Sequence, residues 1–322
     1  MKKDTILVTG GAGFIGSHTV HLLLNGGHEV IVYDNFSTGR KDRLQTKNDN
    51  LYIVPGDILN DELLKQCVAM STKILHLAAI PSVSASIENT IQTTMTNTIG
   101  FIKLLEAIRP LKEKPKLVYA SSAAIYGDSL EIPCNDEILE HPSAISPYAL
   151  DKQNNEKYAN LYKRLFDISS IGLRYFNVYG DKQNIESSYS GVISKVISAG
   201  IKNELFTIYG DGMQSRDFIH VTDVARANYL ALFSDYTGVI NIGTGVKSTI
   251  MDIVEIVKDH FKNTVKIKNT NAIDGDIRVS YAKTTKAIKS INFSSKINVS
   301  HGLASLVIKS SNPGDNNGIT TI

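Results

Sequence analysis

The chain has no tryptophan and only two cysteines, Cys67 and Cys134, in 322 residues. Two thiols cannot build a disulfide framework, so an apolar core must hold the fold, and a reducing, cytoplasmic setting is expected. An excess of one charge is lacking too: 34 basic residues face 32 acidic ones. That balance leaves no electrostatic footprint for nucleic acid, and the run Lys112-Glu113-Lys114 mixes signs as a solvated surface does. No apolar stretch reaches the length of a membrane span. Behind Met1-Lys2-Lys3-Asp4 the apolar run 5–9 is too short for the core of a secretion signal. No His, Cys and Asp cluster has metal-ligand spacing, and His76 and His220 lie in strand-like apolar runs where packing accounts for them. Internal repeats are absent. These absences together predict a soluble, intracellular protein with no nucleic-acid, membrane or metal partner.

What is present is a folded composition, 42% hydrophobic and 20% charged, in a chain long enough for one large core and a smaller lobe. Short apolar runs at 5–9, 29–33, 51–54, 73–77, 117–121 and 168–174 read as strands. Between them, residues 14–25, 61–70, 88–108 and 147–166 carry apolar side chains at three- and four-residue spacing and read as helices. Such alternation predicts an α/β fold with a doubly wound parallel sheet. After Arg174 the rhythm changes. Tyr179-Gly180-Asp181 opens a loop-rich stretch and Tyr209-Gly210-Asp211-Gly212 a turn, followed by a helix near 222–233, a strand at 239–242 and a helix near 249–261. The expected organisation is a first domain over 1–177, segments near 214–245 returning to it, and a smaller mixed C-terminal substrate lobe over 178–310. Residues 309–322 (KSSNPGDNNGITTI) are polar and turn-rich, and a flexible tail is expected over 311–322.

The first strand runs into Gly10-Gly11-Ala12-Gly13-Phe14-Ile15-Gly16. Gly11, Gly13 and Gly16 fit G-x-G-x-x-G; Gly10, Gly13 and Gly16 fit G-x-x-G-x-x-G. A turn without Cβ atoms lets the backbone approach a pyrophosphate, and the next helix points its N–H groups and dipole at that charge. The segment follows a strand, opens a helix, and is followed by Asp34 at the end of the second strand. A carboxylate there accepts from adenosine ribose hydroxyls and repels a 2′-phosphate, which selects NAD over NADP. Arg40 could accommodate a 2′-phosphate, but Asp34 outweighs it. The pattern predicts a Rossmann dinucleotide site.

Tyr148 and Lys152 stand four apart behind Pro147, on one face of a helix, and strand five ends at Ser121-Ser122. Together with ILVTGGAGFIGSH, YDNFSTG, GDI, HLAA, YASSAAIYG, PYALDK, LRYFNVYG and YGDGMQSRDFIHVTDVA, these residues make the chain resemble the extended short-chain dehydrogenase/reductase family, the sugar-nucleotide epimerases and dehydratases. The resemblance covers nearly all of residues 4–305. It implies that Tyr148 is the base on a sugar hydroxyl, that Lys152 lowers the tyrosine pKa and binds the nicotinamide ribose, and that Ser122 hydrogen-bonds the reacting oxygen. A free phenol titrates near ~10, so a neighbouring ammonium and a cationic nicotinamide are what make it a base at neutral pH. The resemblance adds cofactor contacts at Phe14, Ile15, Asn35, Ser37, Asp57, Ile58, Ala78, Asn97 and Tyr175. For Asn97 a helix-interior side chain bonding backbone is the other reading; for Asp57, an ordinary loop carboxylate.

On the substrate side the resemblance implies Ser82, Ser122 and Tyr126, then Asn177, Arg216 and Arg278 at the nucleotide diphosphate or ribose, and Val192 and Phe206 at the uracil. A core role is open for the last two, and a surface role for each arginine. Arginine suits phosphate because its planar fork binds two oxygens. Where relatives carry a further Arg, this chain has Ile273; Asp151 stands where Ser is common. After Ser122 come Ala123-Ala124. In dehydratases of this kind an Asp-Glu pair follows a Thr, and in decarboxylases a Glu is common. Without those carboxylates elimination lacks its acid and base. Epimerisation remains: transient C4 oxidation to a 4-keto sugar and hydride return to the other face. Ser280 falls where relatives restricted to UDP-glucose and UDP-galactose carry Tyr, so the first expectation is UDP-N-acetylglucosamine/UDP-N-acetylgalactosamine. Ser280 as a mere segment start is the opposing reading. UDP-glucose or UDP-glucuronate 4-epimerase is the alternative, and a net NAD(P)-dependent oxidoreductase or a silent NAD-binding sensor stands further off. A homodimer through the helices at 88–108 and 147–166 is expected from the resemblance.

Overall fold

The computed structural model describes residues 3–44, 47–129, 131–137, 144–183, 191–261, 265–272 and 276–311. The first half runs β1 (Thr5–Thr9), α1 (Phe14–Asn25), β2 (Glu29–Asp34), β3 (Leu51–Pro55), α2 (Asp61–Ala69), β4 (Lys73–His76), α3 (Val83–Glu88), α4 (Thr90–Thr94), α5 (Gly100–Ile108), β5 (Lys116–Ser122), α6 (Pro147–Phe166) and β6 (Ser170–Tyr175). The second half runs β7 (Asn177–Tyr179), α7 (Val192–Lys202), β8 (Leu205–Tyr209), β9 (Ser215–Arg216), β10 (Phe218–His220), α8 (Val221–Leu232), β11 (Gly238–Ile242), β12 (Ser248–Thr249), α9 (Ile250–His260), β13 (Lys266–Thr270), β14 (Val279–Ser280), α10 (Thr285–Ile291) and α11 (Val299–Ser311).

Seven strands form one parallel sheet in the order β11-β6-β5-β4-β1-β2-β3. The α/β, doubly wound expectation holds. Period-two alternation divides the apolar side chains between two faces. Ile6, Val8, Val30, Val32, Leu75, Val118 and Leu173 meet α1 and α8 on one side. Leu7, Ile31, Ile74, Leu117 and Tyr119 meet α2, α5 and α6 on the other. Buried on both faces, these strands read as continuous apolar runs, as parallel strands should. Helix α8 packs on α1, and β11 pairs with β6 from Gly238↔Ile171 to Ile242↔Tyr175. A third core, with Ile193, Ile197, Phe206, Val254 and Leu303, joins α7, α9 and α11 to the parallel pair β8–β13.

Two expectations need correction. The helix expected over 88–108 starts two residues later: Asn89, at φ −135° and ψ 61°, separates α3 from α4, and from Thr90 the helical run continues through a π-helical turn at Met95–Ile99 into α5. Within that π turn the Asn97 side chain reaches out to bond the backbone of Ile80. At the other end, residues 309–311 of the polar closing segment continue α11; its remainder, 312–322, lies outside the described residues.

Gly172, in the middle of β6, is a packing requirement. A Cβ there would lie 2.6 Å from the Tyr119 hydroxyl and 2.9 Å from Val239. Gly172→Ala is expected to destabilise the protein by about 1–3 kcal/mol, the usual cost of overpacking a core, as read by urea denaturation.

Candidate active site

The sheet reverses its strand order between β1 and β4, and the fork at their C-terminal ends is where such sheets hold ligands. The glycine segment fills it. Gly10 has φ +69°, and a Cβ there would come within 2.7 Å of the Ala78 nitrogen behind β4. A Cβ on Gly16 would strike the Gly10 carbonyl at 2.2 Å. The turn is therefore too tight for side chains, and Gly13 caps α1 with no side-chain partner for its first N–H groups, those of Phe14 and Ile15 among them. Asp34 ends β2, only 6% exposed, its Oδ2 accepting from Ala12 N at 2.9 Å and its Oδ1 from Phe36 N at 2.8 Å. Beside it, Asn35 donates to Asp57 Oδ2 at 2.8 Å, and Ser37 N donates to Asn35 Oδ1. Ile58 is buried beneath Gly100. Exposed backbone donors at a helix start, a fixed carboxylate at the end of β2 and a protonated lysine described below form a donor set that fits a dinucleotide.

Asn97 is 1% exposed, and both halves of its amide are used by Ile80: N–H to Oδ1 at 2.8 Å and Nδ2 to the carbonyl at 3.1 Å. It shapes the loop after β4 from within a helix, the backbone-bonding reading. Tyr175 is also internal, its hydroxyl donating to Asn228 at 2.6 Å and its pKa driven up by burial.

Pro147 occupies the first turn of α6, and the Ser146 hydroxyl caps it by accepting from Ala149 N. The next residue, Tyr148, is half-buried, its backbone N–H on the Ser86 hydroxyl at 3.1 Å. Its phenol hydrogen-bonds Ser122. Lys152 lies one turn on, 3% exposed, Nζ donating to the Ala120 carbonyl at 2.9 Å and 5.7 Å from the centre of the Tyr148 ring. Thus Tyr148, Lys152 and Ser122 converge as expected. Burial holds the Lys152 ammonium down to about 8. Burial also raises the Tyr148 phenol, with Ser122 pulling it back and Asp151 pushing it further up. Burial thus works against the phenolate, which positive charge beside the phenol favours.

Asn177 opens β7, its Nδ2 on the Asp217 carbonyl at 3.1 Å. Arg216 and Ser280 face each other in the β9–β14 pairing, and Arg278 sits one step before β14 with its carbonyl taking Ser215 N. Both arginines are held by carboxylates: Arg216 Nη2 to Asp276 at 2.6 Å, and Arg278 through both Nη atoms to Asp211 at 2.7 and 2.8 Å, which holds that carboxyl down to about 2. Ser280 is half-buried, and its hydroxyl hydrogen-bonds the Cys134 thiol. Ser82 caps α3 by accepting from Ala85 N.

Three substrate-side expectations fare differently. Tyr126 is 3% exposed, its hydroxyl accepting from Arg174 and donating to Asn241, so it serves the interior and is not free for a ligand. Phe206 is 7% exposed in the third core with Val192 against it, the core role left open by the sequence. Ile273 lies outside the described residues. One residue missed from sequence is Asp217, fully buried, which gathers the N–H groups of Thr244, Gly245 and Ala282 and the Thr244 hydroxyl. Its place next to Arg216 was the available signal.

Fold and site define a dinucleotide-dependent enzyme. The model of the NAD dependent epimerase/dehydratase family matches residues 6–243, and the chain belongs to that family. A putative UDP-glucose 4-epimerase of Methanocaldococcus jannaschii is 36% identical over 305 residues, 94% of this chain and 97% of that protein. The structure of a UDP-N-acetylglucosamine 4-epimerase from Methanobrevibacter ruminantium M1, in complex with UDP-N-acetylmuramic acid, superposes with a TM-score of 0.90 at 34% identity, covering 96% of this chain and 98% of that one. The UDP-glucose 4-epimerase of Thermotoga maritima with UDP-glucose gives 0.89 at 33%, covering 96% and 99%. NAD is the family's cofactor.

Lys152 makes the site costly to the fold. Its pKa in the folded protein, about 8, lies below that of a solvated lysine, so the burial penalty is complete below pH 8 and is relieved as pH rises toward the unfolded value. Two to three pKa units correspond to roughly 3 kcal/mol. Lys152→Met is expected to be more stable than wild type at pH 7, with the difference shrinking by about that amount by pH 10, in urea unfolding at both pH values.

Proposed function

We propose that the protein is an NAD-dependent 4-epimerase of a UDP-sugar, with UDP-N-acetylglucosamine and UDP-N-acetylgalactosamine as its pair. The observation that carries the reaction is the convergence of Tyr148, Ser122 and Lys152 beside a turn whose next positions, Ala123 and Ala124, offer no carboxylate. NAD, when bound along Gly10–Gly16 and Asp34, supplies a hydride acceptor and donor for the sugar C4. Tyr148 takes the proton of the C4 hydroxyl and gives it back when the opposite face is reduced. Ser122 bonds the same oxygen and keeps it against the phenol. Lys152, protonated at neutral pH, contributes the charge that lowers the phenol and a donor for the nicotinamide ribose. On the other side Asn177, Arg216 and Arg278 hold the nucleotide diphosphate.

The sugar assignment rests on Ser280. Its register opposite Arg216 supports the reading: a small side chain beside an arginine assigned to the diphosphate would leave volume for a 2-acetamido group. A plain UDP-hexose is the second reading, favoured by the Thermotoga maritima relative's ligand. Purified protein given UDP-N-acetylglucosamine without added cofactor is expected to produce the galacto epimer, seen as a new anomeric proton signal, and Tyr148→Phe to abolish it. Ser280→Tyr is expected to cut kcat/KM for the N-acetyl sugar by about tenfold or more while sparing UDP-glucose, since a filled pocket rejects by sterics. Turnover of UDP-glucose alone by wild type would move the assignment to the hexose; a need for stoichiometric NADPH would sink epimerisation.

The same reading includes a homodimer. Ile87, Ile91 and Met95 on one side and Leu150, Leu161 and Leu165 of α6 on the other form a row of exposed apolar side chains, Ile91 at 82%. A second copy laid across α4 and α6 would cover it. Sedimentation is expected to give a dimer that Ile91→Glu with Leu150→Glu converts to monomer; a monomeric wild type would refute the arrangement.

A further inference from the structure

On α6, Tyr148, Lys152 and Glu156 follow at four-residue intervals and share one helical face. The first two carry the proposed chemistry; Glu156 takes no part in it, yet it is heavily bonded. Its Oε1 accepts from the Ser121 hydroxyl at 2.5 Å and from Arg174 Nε at 2.9 Å, and its Oε2 accepts from Arg174 Nη2 at 2.7 Å. Arg174, 3% exposed on β6, donates Nη1 to the Tyr126 hydroxyl at 2.8 Å, which donates to Asn241 of β11 at 2.6 Å. Asn241 takes its place through Asp136, which accepts its N–H, and the Cys134 carbonyl, which accepts its Nδ2. One continuous chain of bonds thus joins α6, β5, β6, β11 and the turn that follows Ser122.

Ser121 is the point where this chain meets the site. Alternation along β5 turns Tyr119 and Ser121 toward α6 and puts Ser122 out of that face. Both adjacent serines bond α6, Ser121 through the Glu156 carboxylate and Ser122 through the Tyr148 phenol, and of the two Ser122 has the proposed role on the reacting oxygen. Helix α6 is tied to β5 by the Tyr148 phenol on Ser122, by Lys152 on the Ala120 carbonyl and by Glu156 on Ser121; the first belongs to the reacting groups themselves. The lysine tie is shared with a cofactor ribose, which draws on the same ammonium. The carboxylate tie has no such competitor, and Arg174 clamps the carboxylate at both oxygens, fixing its orientation and cancelling its charge.

We propose that Glu156, locked by Arg174, is a positioning residue: through Ser121 it sets the separation between the Tyr148–Lys152 face of α6 and Ser122 on β5. The proposal rests on the roles given above to Tyr148, Lys152 and Ser122. Catalytic groups must be held to within a fraction of an ångström, and a supporting shell on rigid elements is how that is done.

Ser121→Ala removes the tie and leaves the Glu156–Arg174 pair whole. In the full-length enzyme its kcat, with whichever UDP-sugar the wild type turns over, is expected to fall about tenfold or more while KM and the Kd for NAD stay within about twofold. Ser121→Thr, which restores the hydroxyl, is expected to recover kcat. A readout free of substrate accompanies these rates: NMR titration of isotope-labelled lysine, assigned with Lys152→Arg, is expected to show Lys152 moving toward the ordinary lysine range in Ser121→Ala. Glu156→Gln should share both effects where it folds. An unchanged kcat and an unchanged Lys152 titration in folded Ser121→Ala would overturn the positioning role. A wild type inert toward every UDP-sugar would sink the epimerase reading alone, and the lysine titration would then decide this one.

Discussion

The reversal of strand order between β1 and β4 is the constraint from which the site follows. Parallel strands deliver their C-terminal ends to one edge, and where neighbours diverge no crossover helix covers that edge. Gly10 can lie against Ala78 only because the two strands that carry them are adjacent, from Ile6↔Lys73 to Thr9↔His76. Beneath that contact the Thr9 hydroxyl bonds the buried His76 ring at 2.8 Å and also takes Ala78 N, and burial keeps the histidine neutral with a pKa of about 3. The polar floor of the fork is thus satisfied without a charge, and the charges stand around its rim. Asp34 ends the strand on one side, and Lys152 reaches β5 from the other.

Burying ionic groups is expensive, and the molecule handles each one differently. Glu156 and Arg174 neutralise each other in a two-point pair, and although burial alone would depress the guanidinium, the carboxylate carries it above its ordinary range. Among the described residues no cation pairs with Asp217, which collects backbone N–H groups and a hydroxyl; burial still raises its carboxyl. Lys152 is the exception. It has one carbonyl partner and a displaced pKa, a local conflict of the sort that stable folds avoid and functional sites retain. The raised phenol of Tyr148 is the matching half. Burial disfavours the charged form of each group, the phenolate of Tyr148 and the ammonium of Lys152.

Much of this was legible in the sequence, and the reasons are local. The strands over 5–9 and 51–54 and the helices over 14–25 and 147–166 have strong periods and clear ends, such as Pro147 behind the capping Ser146. The glycine spacing, Asp34 and the Tyr148–Lys152 pair are close in sequence, so their geometry is nearly implied by element type. What escaped depends on contacts distant along the chain. The separation of α3 from α4 at Asn89 and the π turn at Met95–Ile99, from which Asn97 reaches back to Ile80, are not encoded in a helical period. Tyr126 lies in a motif next to Ser122, yet its hydroxyl turns inward because Arg174 and Asn241, on two other strands, converge on it. The pairing of Ser280 with Arg216 likewise joins residues 64 positions apart by sheet register alone.

The two arginines proposed for the diphosphate differ in how firmly the fold holds them. Arg278 and Asp211 are both more than half exposed, 61% and 56%, and solvent screens such a pair even when its bidentate geometry is good. Exchanging that carboxylate for a phosphate costs little, because Asp211 returns to water as an ion. Arg216 is less exposed, at 18%, and also bonds the Ile277 carbonyl, so its guanidinium is oriented from two sides before any ligand arrives. The two residues therefore play unequal parts. In the proposed reading Arg216 is a donor oriented in advance by the fold, and Arg278 is the more exposed one, which would exchange Asp211 for phosphate. With Ser280 in register beside Arg216, the proposed choice of sugar would be referenced to the more firmly held member of the pair.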